Sequence, residues 1–417
     1  MLGALYFFLS LVSLFLAVGV VRPRWLGATV GLLASIPLLC VSVFVPQWII
    51  FSGLWALGFA HLGALSGLGA AGFGLHILAW ALLLSYLLRL RDTLPILDGK
   101  PLGDAEIPFF ATEQAGSFAV ESGFPSLWPN VVLRTPTMKQ VEVISDVVYR
   151  QTDGLRLRMD IYRPKTRGPG LLPSLLFVHG GAWIVGTKRQ SPFLLYDLAA
   201  RGHVVFSIDY RLAPRFPLPA AIHDCKAAVA WISKHGAQYG AAPVPVAIGN
   251  SAGGHLAAML ACSGKERSLQ PGFEQEDCRV AAAVVLYGLT DFVGLLEHKP
   301  HPIASYLLEE MVFCRRYRED PETFLRAQPT SYLSADLPPI LLIHGQHDVM
   351  VSIRQTHRFY ERLKAAGASV VHLAEFPLAP HAFDLAPTPL QQRAERLIAA
   401  FLASLRPPNT KQNQLVK

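Results

Sequence analysis

Five residues, Gly249-Asn250-Ser251-Ala252-Gly253, constrain this chain more than any other stretch. They follow an apolar run over 244–248 and open an Ala/Leu-rich run from His255 to Cys262. A short buried strand that enters a helix through Gly-x-Ser-x-Gly makes a tight, strained turn. Flanking glycines leave room for the neighbouring strand and helix, and the serine hydroxyl is pushed out at the carboxyl edge of a sheet. A glycine-rich turn with a helix-capping serine would satisfy the same five residues, so the reading depends on what else the chain places at strand ends.

The surrounding sequence predicts such a sheet. Apolar, strand-length runs at 174–178, 204–208, 244–248, 281–286, 340–343 and 370–374 alternate with helical segments at 192–201, 220–235, 253–262, 352–366 and 390–405. This alternation argues an α/β fold, a mostly parallel central sheet with helices on both faces. Ahead of it, alternating residues at 141–149 and 155–162 flank Thr152-Asp153-Gly154, a hairpin signal.

Composition divides the chain. Hydrophobic residues make up 52% and charged residues 16%, more apolar than an ordinary soluble domain, and the excess lies in residues 1–91. Residues 1–21 carry no charged side chain and suit a bilayer crossing. A second span is expected at 26–45, and 49–90 has room for two more joined at Ser66-Gly67-Leu68-Gly69-Ala70-Ala71-Gly72. Four spans are expected, three being the alternative, and Arg22, Arg24, Arg89 and Arg91 give an orientation only for three. His61 and His76 are read as interface or helix-contact residues. Gly53, Gly58, Gly63, Gly67 and Gly72 recur at small-residue spacing, which points to close helix packing and to a homodimer through these spans. The net charge of +7 comes without any Lys/Arg run of five, so the partner it favours is a lipid bilayer rather than nucleic acid. Five scattered cysteines with no C-x-x-C predict neither a metal site nor a disulfide framework.

Three further motifs sit at predicted strand ends. His179-Gly180-Gly181-Ala182-Trp183 follows 174–178, and its small residues let backbone N–H groups converge on a developing oxyanion. His347-Asp348 follows 340–343, where an acid can orient an imidazole. Pro380-His381-Ala382-Phe383 follows 370–374, where a histidine can reach the serine. The chain order Ser251, Asp348, His381 is that of a nucleophile–acid–base triad. In it His381 is the base, Asp348 its orienter, and the N–H groups of Gly180, Gly181 or Ala182 with that of Ala252 form the oxyanion hole. His347 is the nearest rival base, and Asp291 the nearest rival acid. His223, His235, His357 and His372 are read as structural or surface residues.

Together with Asp209-Tyr210-Arg211-Leu212-Ala213-Pro214, these motifs resemble the hormone-sensitive-lipase-like carboxylesterases over about 141–405. The resemblance implies an α/β-hydrolase fold, hydrolysis of carboxylic esters through an acyl-serine, no cofactor and no metal. It implies a structural turn at Asp209 and Arg211, and motif support from His179, Trp183, Gly249, Asn250 and Gly253. Composition and the resemblance together divide the chain into a transmembrane helical region (1–91), a linker or partial cap (92–136), a hydrolase domain (137–406) with a cap insertion at about 292–337, and a disordered tail (407–417). The chain also resembles membrane-anchored esterases of bacterial type. Two positions depart from the family pattern. Ala182 replaces the third glycine of H-G-G-G, narrowing the approach to its N–H, and Asn250 replaces the Asp often found before the nucleophile, which removes a local charge. The expected protein is a multi-pass membrane serine esterase acting on a small lipophilic ester. A ligand-binding pseudo-hydrolase, an amidase or deacetylase, and a transporter with a hydrolase remnant are the alternatives.

Overall fold

The computed structural model describes residues 2–21, 45–62, 68–93, 95–101, 136–297, 302–385 and 388–405. Its strands are β1 (Ile96–Leu97), β2 (Lys100–Pro101), β3 (Val141–Thr152), β4 (Leu155–Pro164), β5 (Ser174–Val178), β6 (Val204–Ile208), β7 (Val246–Asn250), β8 (Ala282–Leu286), β9 (Ile340–Gly345) and β10 (Val371–Phe376). They form one ten-stranded sheet in the order β2-β1-β10-β9-β8-β7-β5-β6-β4-β3. From β6 through β5, β7, β8 and β9 to β10 every pairing is parallel. The β3–β4 hairpin and the β1–β2 pair add antiparallel edges. This is the mostly parallel, helix-covered sheet of an α/β-hydrolase.

Every residue of β5 through β9 is buried, as parallel strands covered on both faces require. Their side chains alternate between two cores. Leu176, Val178, Phe206 and Ile208 share one core with α5 (Ala220–His235), α6 (Ala252–Cys262) and α9 (Ile353–Ala365), the last packed against β9 and β10. Leu175, Phe177 and Val205 meet α4 (Pro192–Ala200) and α10 (Pro389–Ser404).

The second core extends into the N-terminal helices α1 (Leu2–Val21) and α3 (Leu68–Asp92), through Leu16, Ala17, Ala79, Leu83 and Tyr86. The Tyr86 hydroxyl donates to the Leu378 carbonyl at 2.8 Å. His76 is buried between α1 and α3, where its Nδ1 meets Ser10 Oγ at 3.0 Å, so a helix contact accounts for it. A Cβ at Gly72 would lie 2.9 Å from the Phe7 Cα, so this glycine serves the α1–α3 crossing within one chain. Between them in sequence lies α2 (Val45–His61).

The expected four-span arrangement is not what the described residues display. Among them one helix, over Leu68–Tyr86, is long and apolar enough to cross a membrane; the apolar part of α1 is shorter. The span expected at 26–45 lies, but for its last residue, outside the described residues, as do Gly63 and Gly67 and the tail at 407–417. The linker expected from residue 92 also differs. Asp98-Gly99 makes a two-residue turn with φ of 47° and 81°, which pairs β1 with β2 and sets β1 against β10. Asp98 is tied in by its carboxylate, which accepts from the Leu373 N–H at 2.9 Å and meets His372 Nδ1 at 2.9 Å. The Asp-Gly signal for such a turn is present in the sequence. The rest of the linker, 102–135, lies outside the described residues.

Candidate active site

Ser251 stands between β7 and α6 with φ 54° and ψ −119°. That conformation is strained by about 1–3 kcal/mol for a residue with a side chain and is held by close packing on both sides. A Cβ at Gly249 would lie 2.1 Å from the Gly253 carbonyl oxygen, and one at Gly253 would lie 1.9 Å from that of Val178. The Ser251 N–H donates to Leu286 O at 2.9 Å, fixing the turn to β8.

The Ser251 hydroxyl meets His381 Nε2 at 2.9 Å, and His381 Nδ1 meets Asp348 Oδ2 at 2.6 Å. The second carboxylate oxygen accepts from the Met350 and Val351 N–H groups at 2.9 and 2.8 Å. With that oxygen held, Oδ2 faces the imidazole, which donates from Nδ1 and leaves Nε2 to accept the serine proton. Burial alone would raise the Asp348 carboxyl, but His381 and His344 beside it bring it well below the usual carboxylate range. The loops carrying acid and base are laced together: Gln346 N–H donates to Phe376 O and His347 N–H to Ala379 O, both at 3.0 Å. A Cβ at Gly345 would sit 2.2 Å from that same Ala379 oxygen.

The rival assignments take other positions. Asp291 caps α7 (Phe292–Glu297) by accepting from the Gly294 N–H at 2.7 Å, and its own N–H is bound by Gln355 Oε1 at 3.0 Å. His347 stays on the acid loop, and the imidazole on Asp348 that also reaches Ser251 is His381. Sequence reasoning missed His344, whose Nε2 lies 3.2 Å from Asp348 Oδ2 and 2.9 Å from Val351 O.

Beside the serine, the 179–183 turn has φ of 120° at Gly181, 52° at Ala182 and 61° at Trp183. Ala182 thus holds a left-handed conformation that glycine would adopt more easily. Among the described residues no acceptor takes the N–H of Gly181, Ala182 or Ala252. The turn rests on buried rings. His179 stacks on Tyr210 at 4.3 Å, and burial pushes its imidazole down. Trp183 Nε1 donates to His255 Nδ1 at 3.2 Å, and His255 Nε2 meets Ala327 O at 2.7 Å, which fixes the tautomer. Burial brings His255 down to about 4. Asp209 accepts from the Lys188 N–H at 2.7 Å, and Arg211 Nε donates to Asp224 Oδ2 at 2.9 Å, placing both in the turn beneath this loop.

Behind the nucleophile the sequence suggests a lost charge at Asn250, and the structure supplies an acid from elsewhere. Asn250 Nδ2 donates to Asp384 Oδ2 at 2.9 Å and to Ser191 Oγ at 3.2 Å, and Tyr287 donates its hydroxyl to Asp384 Oδ1. Burial pushes the Asp384 carboxyl up. The Tyr287 ring meets His381 edge-on at 4.6 Å. The one hint of this pair in the sequence is that Asp384 directly follows His381-Ala382-Phe383.

Ser251 and His381 open into a cavity of about 270 Å³. Leu289 and Leu295 line it, as do Ile303 and Ala304 of α8 (Pro302–Tyr306) and Leu307 and Leu308 of the π-helical turn that follows. Of the insertion expected at 292–337, only residues between 294 and 308 line this cavity, and its residues 298–301 lie outside the described set.

Known proteins agree with this architecture. The BD-FAE family model matches residues 159–363. The chain is 38% identical over 250 residues to the probable carboxylic ester hydrolase LipM of Mycobacterium tuberculosis, covering 59% of this chain and 58% of the relative. It is 37% identical over 270 residues to the esterase LipQ of the same organism, covering 64% and 63%. The match therefore spans about three fifths of these relatives' lengths. The butyrate-bound esterase from Thermogutta terrifontis superposes with a TM-score of 0.54 at 26% identity, over 65% of this chain and 96% of that one. Over the matched region the chain has an α/β-hydrolase fold and is similar to carboxylic ester hydrolases and esterases.

Proposed function

We propose that this protein is a membrane-associated serine carboxylesterase that cleaves small lipophilic esters through an acyl-serine. The observation that carries the reading is the hydrogen-bonded chain Ser251–His381–Asp348 opening into an apolar cavity. His381 Nε2 takes the Ser251 proton as Oγ attacks the ester carbonyl carbon. Asp348 holds the imidazole in place and stabilises the imidazolium. The N–H groups of Gly181, Ala182 and Ala252 receive the oxyanion. The intermediate collapses, the alcohol leaves with the proton from His381, and water, deprotonated by the same imidazole, releases the acid. The reaction draws on no cofactor and no metal. A 270 Å³ cavity lies at the small end of ligand pockets, which favours short to medium acyl chains.

The N-terminal helices are the anchor in this reading. Leu5, Phe8, Leu11 and Phe15 of α1 and Ile77, Leu84 and Leu88 of α3 are exposed and apolar, a surface suited to lipid. Gly58 of α2 leaves open space, a place where a second copy could pack. An amide substrate is the second reading, since the chain is also 27% identical over 233 residues to a kynurenine formamidase of Danio rerio. The test is hydrolysis of p-nitrophenyl esters from acetate to palmitate, and of N-formyl arylamines, by detergent-solubilised wild type, Ser251→Ala and His381→Ala. Ester turnover lost in both variants supports the proposal. Turnover that survives Ser251→Ala refutes it, and turnover of the amides alone moves it to the second reading.

A further inference from the structure

The cavity is apolar except at one side. Arg354 and Arg358, one turn apart on α9, both line it, and no Asp or Glu does. Among the described residues no carboxylate lies within ion-pair distance of either guanidinium, whereas Arg362, one turn further on, faces Asp291 at 3.8 Å. The arrangement is unfavourable for the helix alone. Like charges at i and i+4 repel, and a cation in the first turn opposes the helix dipole; that turn holds no acid to offset it.

The helix that carries the pair is fixed relative to the serine. Gln355, between the two arginines, is buried; it donates to Asp291 O at 3.1 Å and accepts from the Asp291 N–H at 3.0 Å. Thr356 Oγ1 meets His344 Nδ1 at 2.6 Å, and Ser352 caps the helix start. The chain reaches α9 directly from the Asp348 loop. The backbone of α9 is therefore fixed relative to the nucleophile, and its two exposed arginines, paired with no carboxylate among the described residues, stand on the wall of the space that takes the substrate.

We propose that Arg354 and Arg358 bind an anionic group, a carboxylate or a phosphate, carried by the substrate at a distance from its scissile carbonyl. The preferred substrate class is thus an ester that is apolar near the reacting carbon and anionic further along. Guanidinium pairs recognise such groups through paired N–H donors. This rests on the esterase reading above and adds the charge of the substrate to it.

The test compares p-nitrophenyl monoesters of dicarboxylic acids with p-nitrophenyl alkanoates of equal chain length, using the full chain in uncharged detergent. A second arm compares monoacyl phosphatidylglycerol with monoacyl phosphatidylcholine in mixed micelles. Wild type is expected to favour the anionic member by about tenfold in kcat/KM in at least one arm, with the preference shrinking as salt rises. In Arg354→Gln/Arg358→Gln the anionic-to-neutral ratio is expected to fall to about one, while Arg279→Gln, which removes a remote exposed charge, keeps it. Preference in the first arm assigns the anion to a small acid, and preference in the second assigns it to a lipid headgroup. Equal turnover of both members in both arms overturns the inference and leaves the esterase reading standing, as does a preference that survives the double substitution. Absence of turnover on every ester overturns the esterase reading itself.

Discussion

Asn250→Asp restores the acid that the family often places before the nucleophile, and in this chain it should be harmful. Asn250 Nδ2 donates to Asp384 Oδ2 across 2.9 Å in a buried site. The substitution turns that donor into an acceptor, so two carboxyls meet at hydrogen-bond distance. At an effective dielectric of about 20 the repulsion between two full charges there is about 6 kcal/mol. The pair avoids it by keeping one proton. Holding a proton on a carboxyl of unfolded pKa near 3.9 costs about 5 kcal/mol at pH 7.5 and about 1 kcal/mol at pH 4.5. The sign follows from linkage. The retained proton is a raised folded-state pKa, so the penalty is small near the unfolded pKa and grows as pH rises above it. Asn250→Asp should therefore lose about 3–5 kcal/mol at pH 7.5 relative to wild type, and recover most of it at pH 4.5. Adding Asp384→Asn reverses donor and acceptor while keeping an acceptor for Tyr287, and should restore the neutral-pH stability. Thermal melts of the solubilised chain across pH 4.5–8 read all of this. A loss that does not depend on pH, or an Asp384→Asn change that gives no rescue, would refute the reasoning.

Other substitutions probe the remaining supports. Gly253→Ala places a Cβ 1.9 Å from Val178 O, against 3.4 Å for ordinary contact, so α6 must move by about 1.5 Å; ester kcat/KM should fall by about 100-fold, and a fall below threefold would contradict the packing argument. His255 is neutral in the folded protein with its pKa lowered to about 4, so stability is full above the unfolded value near 6.5 and is lost as pH falls from there towards 4, by about 3 kcal/mol. His255→Gln offers an acceptor for Trp183 and a donor for Ala327, and its melting temperature should be flatter over pH 4–7. Glu395 has its pKa raised to about 8, chiefly by burial and then by Asp197. The folded state therefore loses stability as pH rises from the unfolded carboxyl range towards 8, and Glu395→Gln should raise the melting temperature at pH 8 but not at pH 4.

The parallel part of the sheet was legible because its strands are short, mostly apolar and separated by helical periods, and because Ser251, Asp348 and His381 each follow one of them. Hydrogen bonds join those three, named from sequence, in the structure. The Asp98-Gly99 turn was also present in the sequence, but two-residue strands carry no periodicity, so the segment read as linker. Asp384, Tyr287 and His344 were not legible as a group. Their meeting depends on which face of β8 and β9 turns towards the 377–385 loop, and that is set by register and packing. Nothing in the sequence singles out Arg354 and Arg358, since only the fold shows that their side of α9 borders the serine.

The central claim is that Ser251 is the nucleophile, and covalent labelling tests it most directly. The full chain in detergent would be treated with an alkyl fluorophosphonate and the modified residue located by peptide mass spectrometry. The account predicts one adduct, on Ser251, absent from Ser251→Ala and formed far more slowly in His381→Ala. An unlabelled wild type, or an adduct on any other residue, would contradict it.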